Sequence, residues 1–584
     1  FLHLYRGDFR INPEDPPLWQ YWAASAWGSD RLSINPFNPQ WIEAASRVDL
    51  QWRITIDELV DRPERDPVGF VMAMKQRMTV IGAAVVFSVG FIGRLVLARF
   101  SRYANALALL AAFLCASEAN FLAHSSMLKN DVGLTFTWLW MAAGVLWVGQ
   151  RISIPRVALL GIACAACATM KFSGVLVAPA VVIALVVRAL IPNPWRVGSK
   201  SLHKKSSRLI AALSVCLIAA LVTWAGVWAA YGFRYRATPE LDTPLGFKYL
   251  DSKYTAFYEN ATSGGQTDLR NVEIRQDGFT KLVHFARDHQ LLPESYLLGI
   301  YYVQATGIAR WSYLLGDYSV TGWWYYFPVA IFLKTPTFTL VMLLIALRQA
   351  ALGLFGRWVN WRDPLAWTLA GFGVPMGVYL LMAMGSNLNL GVRHVLTIYP
   401  AIYLGIALAI GSILVRAKLE RRVWISAAAG AAALLSMAEV FRNAPHHLAF
   451  FNLVSGGRSN GINLLGDSNL DWGQDLPALA KWQKEHPDYD LYFSYFGTMD
   501  PELYGIKYRN VEPGYAFATT YDPFHPPEPG RKFVFAYSAS HMQSMYIEQL
   551  RPHFKFIRSH KPREVVGASI YLYEFVPPPV SIKP

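Results

Sequence analysis

Charge is what this 584-residue chain lacks: only 16% of its residues are Asp, Glu, Lys or Arg, against about 25% in an average soluble domain. Length alone would allow roughly three or four water-soluble domains. A chain so poor in charge and 53% hydrophobic is not expected to fold that way. Cysteine is scarce as well. Cys115, Cys164, Cys167 and Cys216 each fall within an apolar run, a setting that excludes the aqueous, oxidising conditions a disulfide needs. Cys164 and Cys167 form a CxxC, but inside CACAACA the spacing reads as small-residue helix packing rather than a metal or redox pair. A net charge of +14 would suit a nucleic-acid partner. Its distribution excludes one, because the cations cluster in short loops between apolar runs. No charged n-region or signal-type apolar core precedes Phe1, so the sequence is expected to be a piece of a longer chain with one more span ahead of it.

What is present is a series of apolar runs. A bilayer-spanning helix needs roughly 20 such residues, and ten candidates lie near 79–98, 104–123, 132–149, 157–172, 173–191, 209–231, 323–347, 364–384, 394–415 and 422–440. The fourth and fifth are short and share a break at Lys171-Phe172-Ser173-Gly174, so they could form one bent element. The loops carrying Arg94, Arg99 and Arg102, then Arg151 and Arg156, then Arg188 to Arg208, then Arg348, Arg357 and Arg362, then Arg416 to Arg422 fall on one side at every alternation. That is the positive-inside pattern. The expected architecture is mainly α: a polytopic transmembrane helical bundle in the plasma (inner) membrane. It comprises an outer loop 1–78, spans 79–231, a large outer loop 232–322, spans 323–440 and a non-cytoplasmic domain 441–584. In that tail Leu476–His486 and His541–Leu550 read as helices, and Asp490–Tyr495, Lys532–Tyr537 and Val565–Phe575 as strands. These make a small α/β domain. No internal repeat is evident, which weighs against an inverted-repeat transporter.

The chemistry-bearing residues gather on the expected outer face. In the first loop Asp8, Glu14 and Asp15 sit among prolines, which fix φ and keep the segment out of helix and sheet. The loop is either a Pro-stiffened solvated turn or a rigid mount for catalytic or metal-binding acids. Asp131 follows His124-Ser125-Ser126 at the mouth of the next span, where an acid either caps the helix or serves function, since ionisable groups near a bilayer are costly. The third region holds Arg310, the aromatic run with Trp324 and Tyr325, and Lys334 inside an apolar helix. The aromatics suit an interfacial belt, while the lysine needs snorkelling or an anionic partner. The fourth places Arg393 and His394 at a helix start. Cations there oppose the helix dipole, and either snorkelling or a bound anion such as phosphate relieves the conflict. Acids, fixed cations and aromatic rings together suit transfer of a group from a phosphate-linked lipid.

The stretches GDFRINPEDPPL, AHSSMLKNDVGL, KFSG, GWWYYFPVAIFLKTP and NLNLGVRHVLTIYP, in that order, resemble the GT-C superfamily of glycosyltransferases. The nearer likeness is to glycosyltransferase family 39, with its protein O-mannosyltransferases and aminoarabinose transferases. The segment NLLGDSNLDWGQDL resembles the C-terminal extension of bacterial members. The resemblance implies a polyprenyl-phosphate sugar donor reached from the membrane, and an acceptor protein, lipid or glycan. By it the family's main catalytic acid, in an Asp-Glu pair, would precede Phe1. Glu14 matches an acid implicated in metal or substrate binding, so a divalent metal ion is a conceivable cofactor. Asp131 matches the acid of the second outer loop. Asp15 stands where relatives carry His or Lys, and Ser319, Val320 and Thr321 stand where some carry a metal-binding His. The expected site therefore has Asp131, Glu14 and Asp8 as catalytic residues. Arg393, His394, Arg310, Lys334, Asp15, Trp324 and Tyr325 are the residues expected to bind substrate. The rival readings are a lipid-linked oligosaccharide ligase or polymerase, and a multi-span transporter.

Overall fold

The computed structural model describes residues 2–28, 35, 37–238, 244–263, 272–355, 364–518 and 520–578. The basic-loop residues Arg357 and Arg362 lie outside them. The chain is mainly helical, with a small sheet near its C-terminus.

Among the described residues seven helices are long and apolar enough to cross a membrane: Pro63–Leu97, Asp131–Gln150, Phe172–Leu190, Lys205–Ala230, Ala366–Met384, Val392–Arg416 and Leu419–Phe441. Three of the ten expected spans therefore take another form. The segment expected at 104–123 is a pair of helices, Ala104–Ala116 and Ala119–Ser125, bent by 61°. Glu118 makes the break by accepting the Phe121 amide at 2.9 Å, the bond of an N-cap. The segment at 157–172 is a shorter apolar helix, Ile154–Met170. The segment at 323–347 is divided into Tyr326–Lys334 and Thr337–Phe355. Pro336 disfavours the α conformation in the residue before it, and Thr335 is accordingly extended. Glu439 then takes the first donors of the next helix, accepting from Thr337 N at 2.7 Å and Thr337 Oγ1 at 2.8 Å. The first span also begins earlier than expected. Its α-helical part opens at Pro67, behind Asp66, whose carboxylate accepts the Gly69 amide at 3.0 Å.

Asp131–Gln150 is the central helix. Along its apolar stretch 83% of residues are buried, against 22% for Lys205–Ala230 and for Leu419–Phe441 at the periphery. The KFSG break interrupts the bundle beside it. Lys171 is extended between Ile154–Met170 and a 3-10 turn over Phe172–Leu176. Gly174 packs on the Cys167 carbonyl so closely that a Cβ would overlap it, so the tight junction requires glycine here.

The tail forms a five-stranded mixed sheet in the order 509–510, 489–494, 532–538, 570–573, 564–566. Its first three strands are parallel and the last two antiparallel. Alternate residues face opposite sides: Leu491, Phe493, Val534, Ala536 and Leu572 join Leu479 and Trp482 of helix Leu476–Glu485. Tyr492, Phe535, Tyr537 and Tyr573 belong to the core that includes Phe554 and Ile557 of helix Arg551–Arg558. The helix expected at His541–Leu550 is instead the short turn Ala539–Met542 followed by Arg551–Arg558, because Pro552 suits the first turn of a helix. The closing strand is a hairpin, folded back at Gly567, where φ is +64°.

Candidate functional site

Two helix starts, one helix break and a segment of the tail converge at one end of the bundle. Asp131 opens the central helix, but it is not the cap. Asn130 holds that position and makes no side-chain capping bond. The buried Asp131 carboxylate accepts from the Lys171 ammonium through Oδ1, and its Oδ2 lies 3.2 Å from Arg393 Nη1. The conflict between Arg393 and its own helix start is thus relieved by an anion from within the chain, and the first turn of the central helix favours that anion in turn. Charges buried this deeply persist only as a paired set.

Three features fix the Arg393 guanidinium. Nη1 meets Asp131, Nε donates to Ser468 Oγ at 2.9 Å, and its face rests on the Trp472 ring at 4.7 Å. Among the described residues its Nη2 edge makes no hydrogen bond. Gly391 lies so close to Ser468 that a Cβ would stand 2.4 Å from the hydroxyl oxygen.

A second group of charges borders the first. Lys129 Nζ donates to Asp15 Oδ2 at 2.8 Å and stands 3.8 Å from Glu14 Oε1, while Asn130 Nδ2 donates to Asp15 Oδ1 at 2.5 Å. Burial raises the Glu14 carboxyl above its ordinary value, and the Lys129 charge opposes that rise. Burial works against the Lys129 ammonium, but the Asp15 and Glu14 carboxylates outweigh it and raise it. Arg310 stands within electrostatic reach of Glu14, Asp467 and Tyr546, and the Tyr546 hydroxyl bonds to Asp467.

Three buried polar atoms here have no partner among the described residues: His394 Nε2, His124 Nδ1 and Asn130 Oδ1. An unmet buried donor or acceptor costs about 1–3 kcal/mol. Such atoms call for a partner from outside the protein, an ordered water or a ligand.

Of the expected site residues, the structure brings together Asp131, Arg393, His394, Glu14, Asp15 and Arg310. Others lie elsewhere. Lys334 is buried and donates to the carbonyls of Leu448 at 2.6 Å and Asn469 at 2.7 Å, so it holds the tail against its helix instead of facing a substrate phosphate. Asp8 pairs with Arg10 at 2.6 Å within its own loop. Trp324 and Tyr325 point outward, 69% and 39% exposed, with their rings in edge contact. The metal expectation at Glu14 does not fit the surroundings. Among the described residues no group of three or more His, Cys, Asp or Glu could hold an ion, and Glu14 is ion-paired with Lys129.

Sequence reasoning missed Lys129, Lys171, Asp467, Ser468, Trp472 and Tyr546 as partners in the site. A lysine at a break inside an apolar run was the available signal for Lys171. The density of polar and aromatic residues in GDSNLDWGQD was the signal for the tail segment.

No protein-family model, curated protein or solved structure matches the chain.

Proposed function

We propose that the chain is a GT-C-type membrane glycosyltransferase. It moves a sugar from a polyprenyl-phosphate donor to an acceptor protein, lipid or glycan on the non-cytoplasmic side of the plasma (inner) membrane, in cell-envelope or protein glycosylation. The observation that carries this reading is the buried Asp131–Arg393–Lys171 set at one end of the bundle, with the Arg393 Nη2 edge and His394 Nε2 making no hydrogen bond among the described residues. A phosphate diester that loses its sugar gains negative charge, and preorganised cations in a dry site stabilise that charge most effectively. Arg393 and Arg310 are assigned that role. Lys171 and Lys129 hold the carboxylates in place. Glu14, 23% exposed at its side chain and of raised pKa, accepts the proton of the acceptor hydroxyl. The new glycosidic bond forms as the bond from the sugar to phosphate breaks.

The test is to supply the full-length protein in nanodiscs with a labelled polyprenyl-phosphate sugar and candidate acceptors. The reading requires release of polyprenyl phosphate together with labelled acceptor. Label crossing the bilayer on an intact donor would identify a transporter. Turnover only with a diphosphate-linked oligosaccharide would identify a ligase or polymerase.

A further inference from the structure

The tail is more than an appendage to the bundle. Its segment Asp467–Trp472 is inserted between the sheet and the helix start at Val392 and is held from both sides. From the bundle, Val392 N donates to Asn469 Oδ1 at 3.0 Å, Asn469 Nδ2 donates to the Tyr326 hydroxyl at 3.0 Å, and Lys334 holds the Asn469 carbonyl. From the α/β domain, Ser540 N donates to Asp471 Oδ2 at 3.0 Å, and Gln543 Nε2 donates to the Leu465 carbonyl at 3.0 Å. Asp467 takes a positive φ of 52°, which aspartate tolerates better than most residues. Backbone held in such a region by its surroundings is characteristic of sites where position matters. The segment so fixed presents the Ser468 hydroxyl to Arg393 Nε and the Trp472 ring to the guanidinium face.

We infer that Ser468 and Trp472 are positioning residues that aim the Nη2 edge of Arg393, so that the α/β domain completes the phosphate subsite of the bundle. The inference rests on the proposed donor, a lipid-linked phosphate. An arginine on an unfixed stem samples many rotamers, and each bond that fixes it reduces what is lost on binding. Asp131 alone fixes one corner of the fork. A hydroxyl on Nε and an aromatic face below define its plane. Gly391 belongs to the same device, since any side chain there would displace the Ser468 hydroxyl.

The experiment measures donor KM and kcat for the full-length protein and four variants that remain monodisperse in detergent: Ser468→Ala, Trp472→Leu, Trp472→Phe and Gly391→Ala. Loss of a hydrogen bond to a charged group is worth roughly tenfold or more. Ser468→Ala and Trp472→Leu should therefore raise donor KM by about that factor and leave acceptor KM unchanged. Trp472→Phe, which keeps a ring under the guanidinium, should restore most of it. Gly391→Ala should reproduce the Ser468→Ala defect and add little in the double variant. A purely structural role would lower the active fraction without moving donor KM. If Ser468→Ala does not fold, the Trp472 pair carries the same test. Wild-type donor KM in Ser468→Ala and Trp472→Leu, with a raised KM in Arg393→Ala, would overturn the positioning role and leave the proposed function standing. Wild-type donor KM in Arg393→Ala itself would instead remove Arg393 from the phosphate subsite and the inference with it, whereas failure of the wild type to release polyprenyl phosphate would remove the functional reading.

Discussion

Arg393 Nη1 stands 3.2 Å from Asp131 Oδ2 across a sequence separation of 262 residues. The contact joins the start of the central helix to the start of a late one, with Lys171 on the other carboxylate oxygen. Asp131 therefore carries two cations, and its loss would leave both uncompensated.

That arrangement sets an order of stabilities. Removing one partner of a buried ion pair costs about 3–5 kcal/mol, so Asp131→Asn should be the most damaging change in the cluster. Lys171→Met should be milder, because Asp131 keeps Arg393. Thermal unfolding in detergent should rank wild type above Lys171→Met and Lys171→Met above Asp131→Asn. A stable Asp131→Asn would show that Asn can take the place of the acid, as it could at a cap.

The Glu14 carboxyl gives a prediction in pH. Burial raises it and the Lys129 charge lowers it. If ionised Glu14 takes the acceptor proton, transfer should fall as pH drops through a value above the ordinary glutamate range of about 4.3. Lys129→Met removes the opposing charge and should move that acid limb to higher pH. Glu14→Gln should abolish the limb along with most of the activity. An acid limb that stays in place in Lys129→Met would detach Glu14 from the rate.

Lys334 should behave as a structural residue. Its ammonium is the donor to two buried carbonyls, those of Leu448 and Asn469, and each unmet carbonyl costs about 1–3 kcal/mol. Lys334→Met should lower the unfolding temperature, while the protein that remains folded keeps its donor affinity. A loss of donor affinity with unchanged stability would return Lys334 to the substrate.

Much of the architecture was legible in local pattern. The apolar runs located the helices of the bundle, and alternation located the tail strands at 489–494 and 532–538 to within a residue or two. The KFSG break was visible because Gly and Ser interrupt an apolar run. The break at Thr335-Pro336 was passed over although Pro336 was visible, because the apolar character continues on both sides of it. The site was legible in part. Ionisable residues beside apolar runs marked Asp131, Arg310 and Arg393. Which charge meets which was not legible, because pairs such as Asp15 with Lys129, Asp131 with Lys171 and Arg393 with Ser468 are set by the packing of distant helices. Periodicity carries no information at such separations. Lys334 shows the converse: its position inside an apolar helix calls for snorkelling or an anionic partner, and its hydrogen bonds go to two backbone carbonyls with Glu118 within electrostatic reach.

The central claim is that Arg393 binds the phosphate of a lipid donor. Its most direct measurement is the affinity of polyprenyl phosphate, without the sugar, for the full-length protein in nanodiscs, compared with Arg393→Lys and Arg393→Ala. A charge-assisted bond of about 1.5–3 kcal/mol corresponds to roughly a 10- to 150-fold loss of affinity in Arg393→Ala. Arg393→Lys should fall between, since a point charge cannot reproduce the planar fork. Wild-type affinity in a folded Arg393→Ala would contradict the account and leave Arg393 as the structural counter-ion of Asp131.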